Sequence, residues 1–207
     1  MTTPRRGLSV AGVLWIAAAL IFLAFEAMAA AAVVPSYSYA HGYISDLGVP
    51  AWSPKAALMN SAFWVQGLAF LAGAVVITRP LGRGRLFVWL AVANAVGNIL
   101  VAIAHGGSAL VAAGYAGLHV VGAVLVIVGG NAAIVVGSSA IRQAITARGY
   151  RVVSLVIAAV GFVCMLLLSI ATSKTGLPAG ALERGSVYSI LAWQILTGFL
   201  LLGARKE

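Results

Sequence analysis

The chain has 207 residues, 62% of them hydrophobic and 8% charged, with a formal net charge of +9. A soluble domain of this length has no polar shell large enough to hide so much apolar surface, which excludes a water-soluble globular enzyme. The positive balance does not point to nucleic acid, because the cations stand in short connections between apolar runs and do not cover one soluble face.

The first apolar run covers residues 8–34 and follows Arg5 and Arg6. It is too long for the apolar region of a signal peptide and is interrupted by Glu26, so it reads as a retained first membrane span. Glu26 precedes Pro35 by nine residues, which puts it ~13 Å below the outer end of that span, near the bilayer middle. A lone carboxylate at that depth is costly. It must face the bundle interior and either find a partner or stay protonated. Arg184, Asn60 and His119 are the candidate partners.

Residues 35–55 form the longest connection, with Pro35, Pro50, Pro54, Gly42, Gly48, Tyr37, Tyr39, Tyr43 and Trp52. It is too aromatic for a flexible linker. Its rings suit the membrane–water interface, and the loop is expected to be partly embedded or to cap the bundle. His41 lies here too. Asp46, followed closely by Gly48, reads as a turn residue or helix cap, or else as a binding acid.

The second span, 56–78, carries Asn60, Gly67 and Gly73. It stops at Arg79-Pro80-Leu81-Gly82-Arg83-Gly84-Arg85, which has the proline and glycines needed to reverse the chain. The third span, 86–104, contains Asn94 and Asn98 and delivers His105 to its end. The fourth, 117–141, has His119 in its first turn, then Gly122, Gly129, Gly130 and Asn131. The fifth, 152–172, holds the single cysteine, Cys164, which suits a small buried hydrophobe. Glu183 and Arg184 lead into the sixth span, 186–203, from outside.

Each run holds about 18 or more residues, enough to cross ~30 Å of hydrocarbon as a helix. The predicted fold is all-α: a polytopic six-helix transmembrane bundle forming one domain over 1–207. Short connections make neighbouring helices antiparallel. The small residues inside the spans favour close helix approach, and Asn94, Asn98 and Asn131 read as interhelical hydrogen-bonding groups.

Arg5, Arg6, Arg79, Arg83, Arg85, Arg142, Arg148, Arg151, Arg205 and Lys206 fall on one side of this topology. Lys55, Lys174 and Arg184 fall on the other. The Lys/Arg excess marks the cytoplasmic side, so both termini are expected inside the cell, in a plasma or inner membrane. The basic side would touch anionic headgroups. An Ala/Gly/Val/Arg-rich composition hints at a high-GC bacterial source.

The acids Glu26, Asp46 and Glu183 and the three histidines map to the opposite, extracytoplasmic half. One outer vestibule could therefore gather Glu26, Asp46, His105, His119, Glu183 and Arg184. Each has a structural alternative. His119 could bond between helices. Glu183 could favour a helix N-terminus. Arg184 could snorkel to phosphate, or pair with Asp46 or Glu26. No metal or cofactor is expected, since no two histidines share metal-binding spacing on one helix and no phosphate-cradling loop or Gly-x-Ser-x-Gly elbow is present.

Several of these motifs together resemble one family. Tyr43-Ile44-Ser45-Asp46-Leu47-Gly48 looks like the hallmark outer loop of DUF998, six-span bacterial and archaeal membrane proteins of unknown function. Asn60 and Gly67 are similar to its second-span pattern. His119, Gly122-Ala123 and Gly130-Asn131 resemble its fourth. Gly180, Leu182, Glu183, Arg184, Tyr188 and Trp193 resemble its entry into the last span. The family's third span often ends in a Gly-x-Phe-Pro-Glu-like segment, whereas this chain has Ala102-Ile103-Ala104-His105-Gly106-Gly107 and no acid. The resemblance implies fold and topology, and draws Ser45, Gly48, Asn60, Asn131, Tyr188 and Trp193 into support of the vestibule.

Three functions fit. The first is binding of a lipid headgroup, small polar ligand or membrane partner in the vestibule, with membrane lipid or another membrane protein as partner and no nucleic acid. The second is an intramembrane lipid hydrolase or transferase, with His119 as general base beside Asp46 or Glu183. The third is a proton-coupled transporter with Glu26 as carrier.

Overall fold

The computed structural model describes residues 3–145, 147–171 and 175–203, with side chains from Arg6 onward. Lys174, Arg205, Lys206, Glu207, the end of the fifth span at Thr172 and the side chain of Arg5 lie outside the described residues. The helices are α1 (Thr3–Ala30), α2 (Ala56–Thr78), α3 (Arg85–Ile103), the short α4 (Ala109–Ala112), α5 (Gly117–Ala140), α6 (Tyr150–Ile170) and α7 (Ala179–Gly203), with no strand among the described residues. Six of the described helices are long and apolar enough to cross a membrane. Val120, Val124, Val156, Val163 and Leu166 are each more than half exposed. An apolar belt of that kind belongs in lipid.

Several boundaries differ from the sequence reading. The first span ends at Ala30, not Val34. Pro35 disfavours helical backbone at the residue before it, and the chain turns earlier through Ala32 N–H to Ala29 O and Val33 N–H to Ala30 O. Glu26 is thus four residues from the helix end, ~6 Å along the axis, and not near the middle of the bundle. The sixth span begins at Ala179, seven residues earlier than expected. Pro178 starts the helix, its carbonyl accepting from Leu182 N–H, and the charges of Glu183 and Arg184 are accommodated inside the helix by protein partners. Between α3 and α5 the unforeseen α4 is capped by Ser108, whose side chain accepts from Val111 N–H.

The helices close a ring in the order α1, α2, α3, α5, α6, α7 and back to α1, with α7 also touching α5 across the interior. Four fully buried rings fill one half: Trp15, Phe70, Phe87 and Trp193, from α1, α2, α3 and α7. Trp15 and Trp193 stand 5.4 Å apart, centroid to centroid, and Phe87 lies edge-on to Trp193 at 6.1 Å. Their polar edges are satisfied: Trp15 donates to Phe70 O and Trp193 to Ser154 Oγ.

Polar groups tie the helices together. Asn131 Nδ2 donates to Ser186 O at 3.0 Å and Ser189 Oγ donates to Asn131 Oδ1 at 2.8 Å, joining α5 to α7. Asn94 Nδ2 donates to Val126 O, joining α3 to α5. Gln66 and Gln194 bond across the interior between α2 and α7. α3 and α5 approach so closely that a Cβ at Gly97 would sit 2.6 Å from Gly122 O. Only glycine permits that approach, which small residues allow in lipid.

Candidate functional site

The chain from Ala31 to Lys55, the end of α3, the start of α5 and the start of α7 share one end of the ring. On α7, Gly180, Arg184 and Tyr188 follow at intervals of four and so share one face. That face meets the last turns of α1 and the loop. Arg184 Nε donates to Glu26 Oε1 at 2.8 Å, with side-chain exposures of 7% and 1%. Tyr188 OH donates to Glu26 Oε2 at 2.8 Å. Both oxygens of the carboxylate are therefore engaged.

The rest of the guanidinium turns to the loop. Its Nη1, with two protons, lies within bonding distance of three carbonyls, Tyr39 (2.9 Å), Gly42 (2.8 Å) and Gly180 (3.0 Å), so that one proton is shared between two of them, and Nη2 donates to Tyr37 Oη at 2.6 Å. The Tyr39 ring lies 4.7 Å from the guanidinium carbon and the Tyr37 ring 5.3 Å, both within cation–π range. Tyr37 Oη reaches the carbonyls of Gly42 and Tyr43, and its single proton serves one of them at a time. Burial pushes the Tyr37 hydroxyl up to about 12, against the opposing pull of Arg184.

Every nitrogen of Arg184 thus has a protein acceptor. Arg184 had been open to three partners, and it takes Glu26 and the loop backbone. Its geometry is that of a staple holding the loop to the bundle. One more bond and one close approach complete the attachment: Ala181 N–H donates to Ala40 O, and a Cβ at Gly180 would collide with the Gly42 backbone.

The other acids act on the loop's backbone. Glu183, half-buried, accepts from Ile44 N–H at 2.5 Å. Its expected action on a helix N-terminus is replaced by this contact, because α7 starts earlier. Asp46, exposed, accepts from Tyr43 N–H at 2.9 Å through Oδ2 and from Val49 N–H through its carbonyl. It closes the short 3-10 turn Ser45–Gly48 in the manner of a turn residue. Asn60 Nδ2 donates to Gly48 O, pinning that turn to α2.

The histidines stand at the same end with separate surroundings. His41 is exposed. His105 Nδ1 contacts Gly106 O at 2.9 Å. His119 is half-buried, and its Nδ1 is enclosed with no hydrogen-bond partner among the described residues. Among the described residues, no group of three or more His, Cys, Asp or Glu could hold a metal ion.

The end therefore brings Glu26, Arg184 and Tyr188 into direct contact, and links Glu183 and Asp46 to them through the backbone of residues 42–46. Ser45 opens the turn beside Glu183. Asn131 and Trp193 lie deeper, in helix–helix contacts. Sequence reasoning gave Tyr37 and Tyr39 only an interfacial role and overlooked the Gly42–Gly180 approach. A glycine in the first turn of α7, where it weakens a helix, was the signal for the latter.

Beside the staple lies a cavity of about 360 Å³. Val33, Val34, Pro35 and Trp52 supply its apolar wall, and Ser36, Tyr37, Ser38 and Asp46 its polar one. Val34 is 86% and Trp52 75% exposed.

A family model described as Protein of unknown function (DUF998) matches residues 16–200. No match was found among curated proteins or among solved structures.

Proposed function

We propose that this chain, which belongs to the DUF998 family of proteins of unknown function, is a membrane binding protein whose loop cavity takes the headgroup of a lipid or a similar amphiphile. The single observation that carries this reading is the cavity's two-sided lining. Val34 and Trp52 offer exposed apolar contact next to the Asp46 carboxylate and Ser36. Asp46 uses Oδ2 on Tyr43 N–H, and a carboxylate retains acceptor capacity for further donors. The preferred headgroup therefore carries hydroxyl or ammonium donors. Arg184 is a positioning residue that holds the loop in a binding-ready shape, which reduces the ordering cost of binding. By the distribution of arginines, the loop end faces away from the cytoplasm and both termini face inward.

The test is native mass spectrometry of the full chain released from a mixed-lipid membrane in neutral detergent. Removing a charged hydrogen-bond partner costs about ten-fold in affinity, so Asp46→Ala should lower lipid retention by that order and Trp52→Ala should lower it too. Retention unchanged in both variants refutes the reading. A second reading, a lipid hydrolase or transferase, draws support from the enclosed and unpartnered Nδ1 of His119. The same spectra separate the two, because turnover leaves a lipid of altered mass.

A further inference from the structure

The opposite end of the ring carries a second cavity, of about 440 Å³. Arg79 closes α2 and begins the 3-10 turn Arg79–Leu81, and Arg85 opens α3. Arg83 stands between them. All three guanidinium-bearing residues line the cavity, with Thr78, Val75 and Trp89. All three are exposed, so water screens their mutual repulsion, and an anion seated between them is attracted by all three at once. The described acids Glu26, Asp46 and Glu183 all belong to the loop end, and none of the three arginines forms an ion pair among the described residues. No described acid competes with an incoming anion for these three cations.

The lining also has a direction. The arginines and Thr78 form its polar rim at the helix ends. Val75, 40% exposed, lies one turn deeper on α2, and Trp89, 69% exposed, lies one turn deeper on α3. A cationic rim above an outward-facing apolar wall matches a phosphodiester with acyl chains below it. Guanidinium groups bind phosphate oxygens in pairs, and tryptophan sits at the headgroup level of a bilayer.

We propose that this cavity is an anion site that seats the phosphate of an anionic lipid headgroup. It does not rest on the reading of the loop cavity, which lies at the other end and is lined by an acid.

The test uses the full chain in neutral detergent, where no membrane surface potential contributes. It is titrated by calorimetry with short-chain phosphatidylglycerol, and in parallel with inorganic phosphate and short-chain phosphatidylcholine. Saturable binding of phosphatidylglycerol is expected, weakened about five-fold by Arg83→Gln and again by Arg85→Gln, but changed less than about two-fold by Arg148→Gln and Arg151→Gln at the same end outside the cavity. Competition by inorganic phosphate at similar concentration would support the anion site but identify a soluble phosphate as its ligand. Equal binding of phosphatidylcholine, equal losses from the two pairs of variants, or no saturable binding of either anion would overturn the proposal. If the cavity variants fail to fold, the wild type still decides: affinity for the anion must fall as salt rises, and salt-independent binding refutes it.

Discussion

Arg184 carries a full charge into a nearly closed interior, and the surrounding protein engages each of its nitrogens. Taking two charges out of water costs several kcal/mol, so a buried pair contributes through geometry more than through net stability. Removing one partner strands the other. Arg184→Leu or Glu26→Leu alone should therefore destabilise the protein by ~3–5 kcal/mol, while the double variant should recover a substantial part of that loss. Thermal or denaturant unfolding in detergent measures it, and additive single losses would mean the two groups do not act as a pair. Both charges were visible in the sequence as breaks in apolar runs. Their pairing was not, because Arg184 had three plausible partners and Glu26 was placed too deep. The depth of Glu26 depends on where α1 ends, and five apolar residues before Pro35 gave no local sign of an earlier turn.

At the scale of elements, hydropathy located all six long helices, because a run without charges has no other stable place than lipid or a core. It misjudged ends where a tertiary contact compensates a charge. α7 extends through Glu183 and Arg184 because Ile44 N–H and Glu26 meet them. Packing between elements rests on close approach. The α3–α5 contact at Gly97 and Gly122 has backbone on both sides, and backbone cannot move aside as a flexible side chain does. Gly97→Ala should cost about 1–3 kcal/mol by overpacking. Gly117→Ala, whose added Cβ meets open space, should change stability by no more than about 0.5 kcal/mol. Denaturant unfolding of the two variants side by side checks this. Equal stability would show that the helices can part without loss.

For the whole molecule, the closed ring separates two chemically different ends. One holds the described acids, the histidines and the stapled loop. The other holds Arg79, Arg83, Arg85, Arg142, Arg148 and Arg151. The positive-inside rule predicts that the arginine-rich end faces the cytoplasm. In a Cys164→Ser background, a membrane-impermeant maleimide should label His41→Cys in intact cells and Arg148→Cys only after permeabilisation. Both native residues are exposed, so access is not limited by burial, and the reverse pattern would invert the assigned orientation. The sequence by itself determined the number of long apolar helices, their alternation across the membrane and the segregation of charge, because each follows from the cost of placing a charge in hydrocarbon. Tertiary structure alone decided which polar groups pair and that the loop is fastened by Arg184. Those outcomes depend on contacts between segments up to 162 positions apart, which no local pattern of residues encodes.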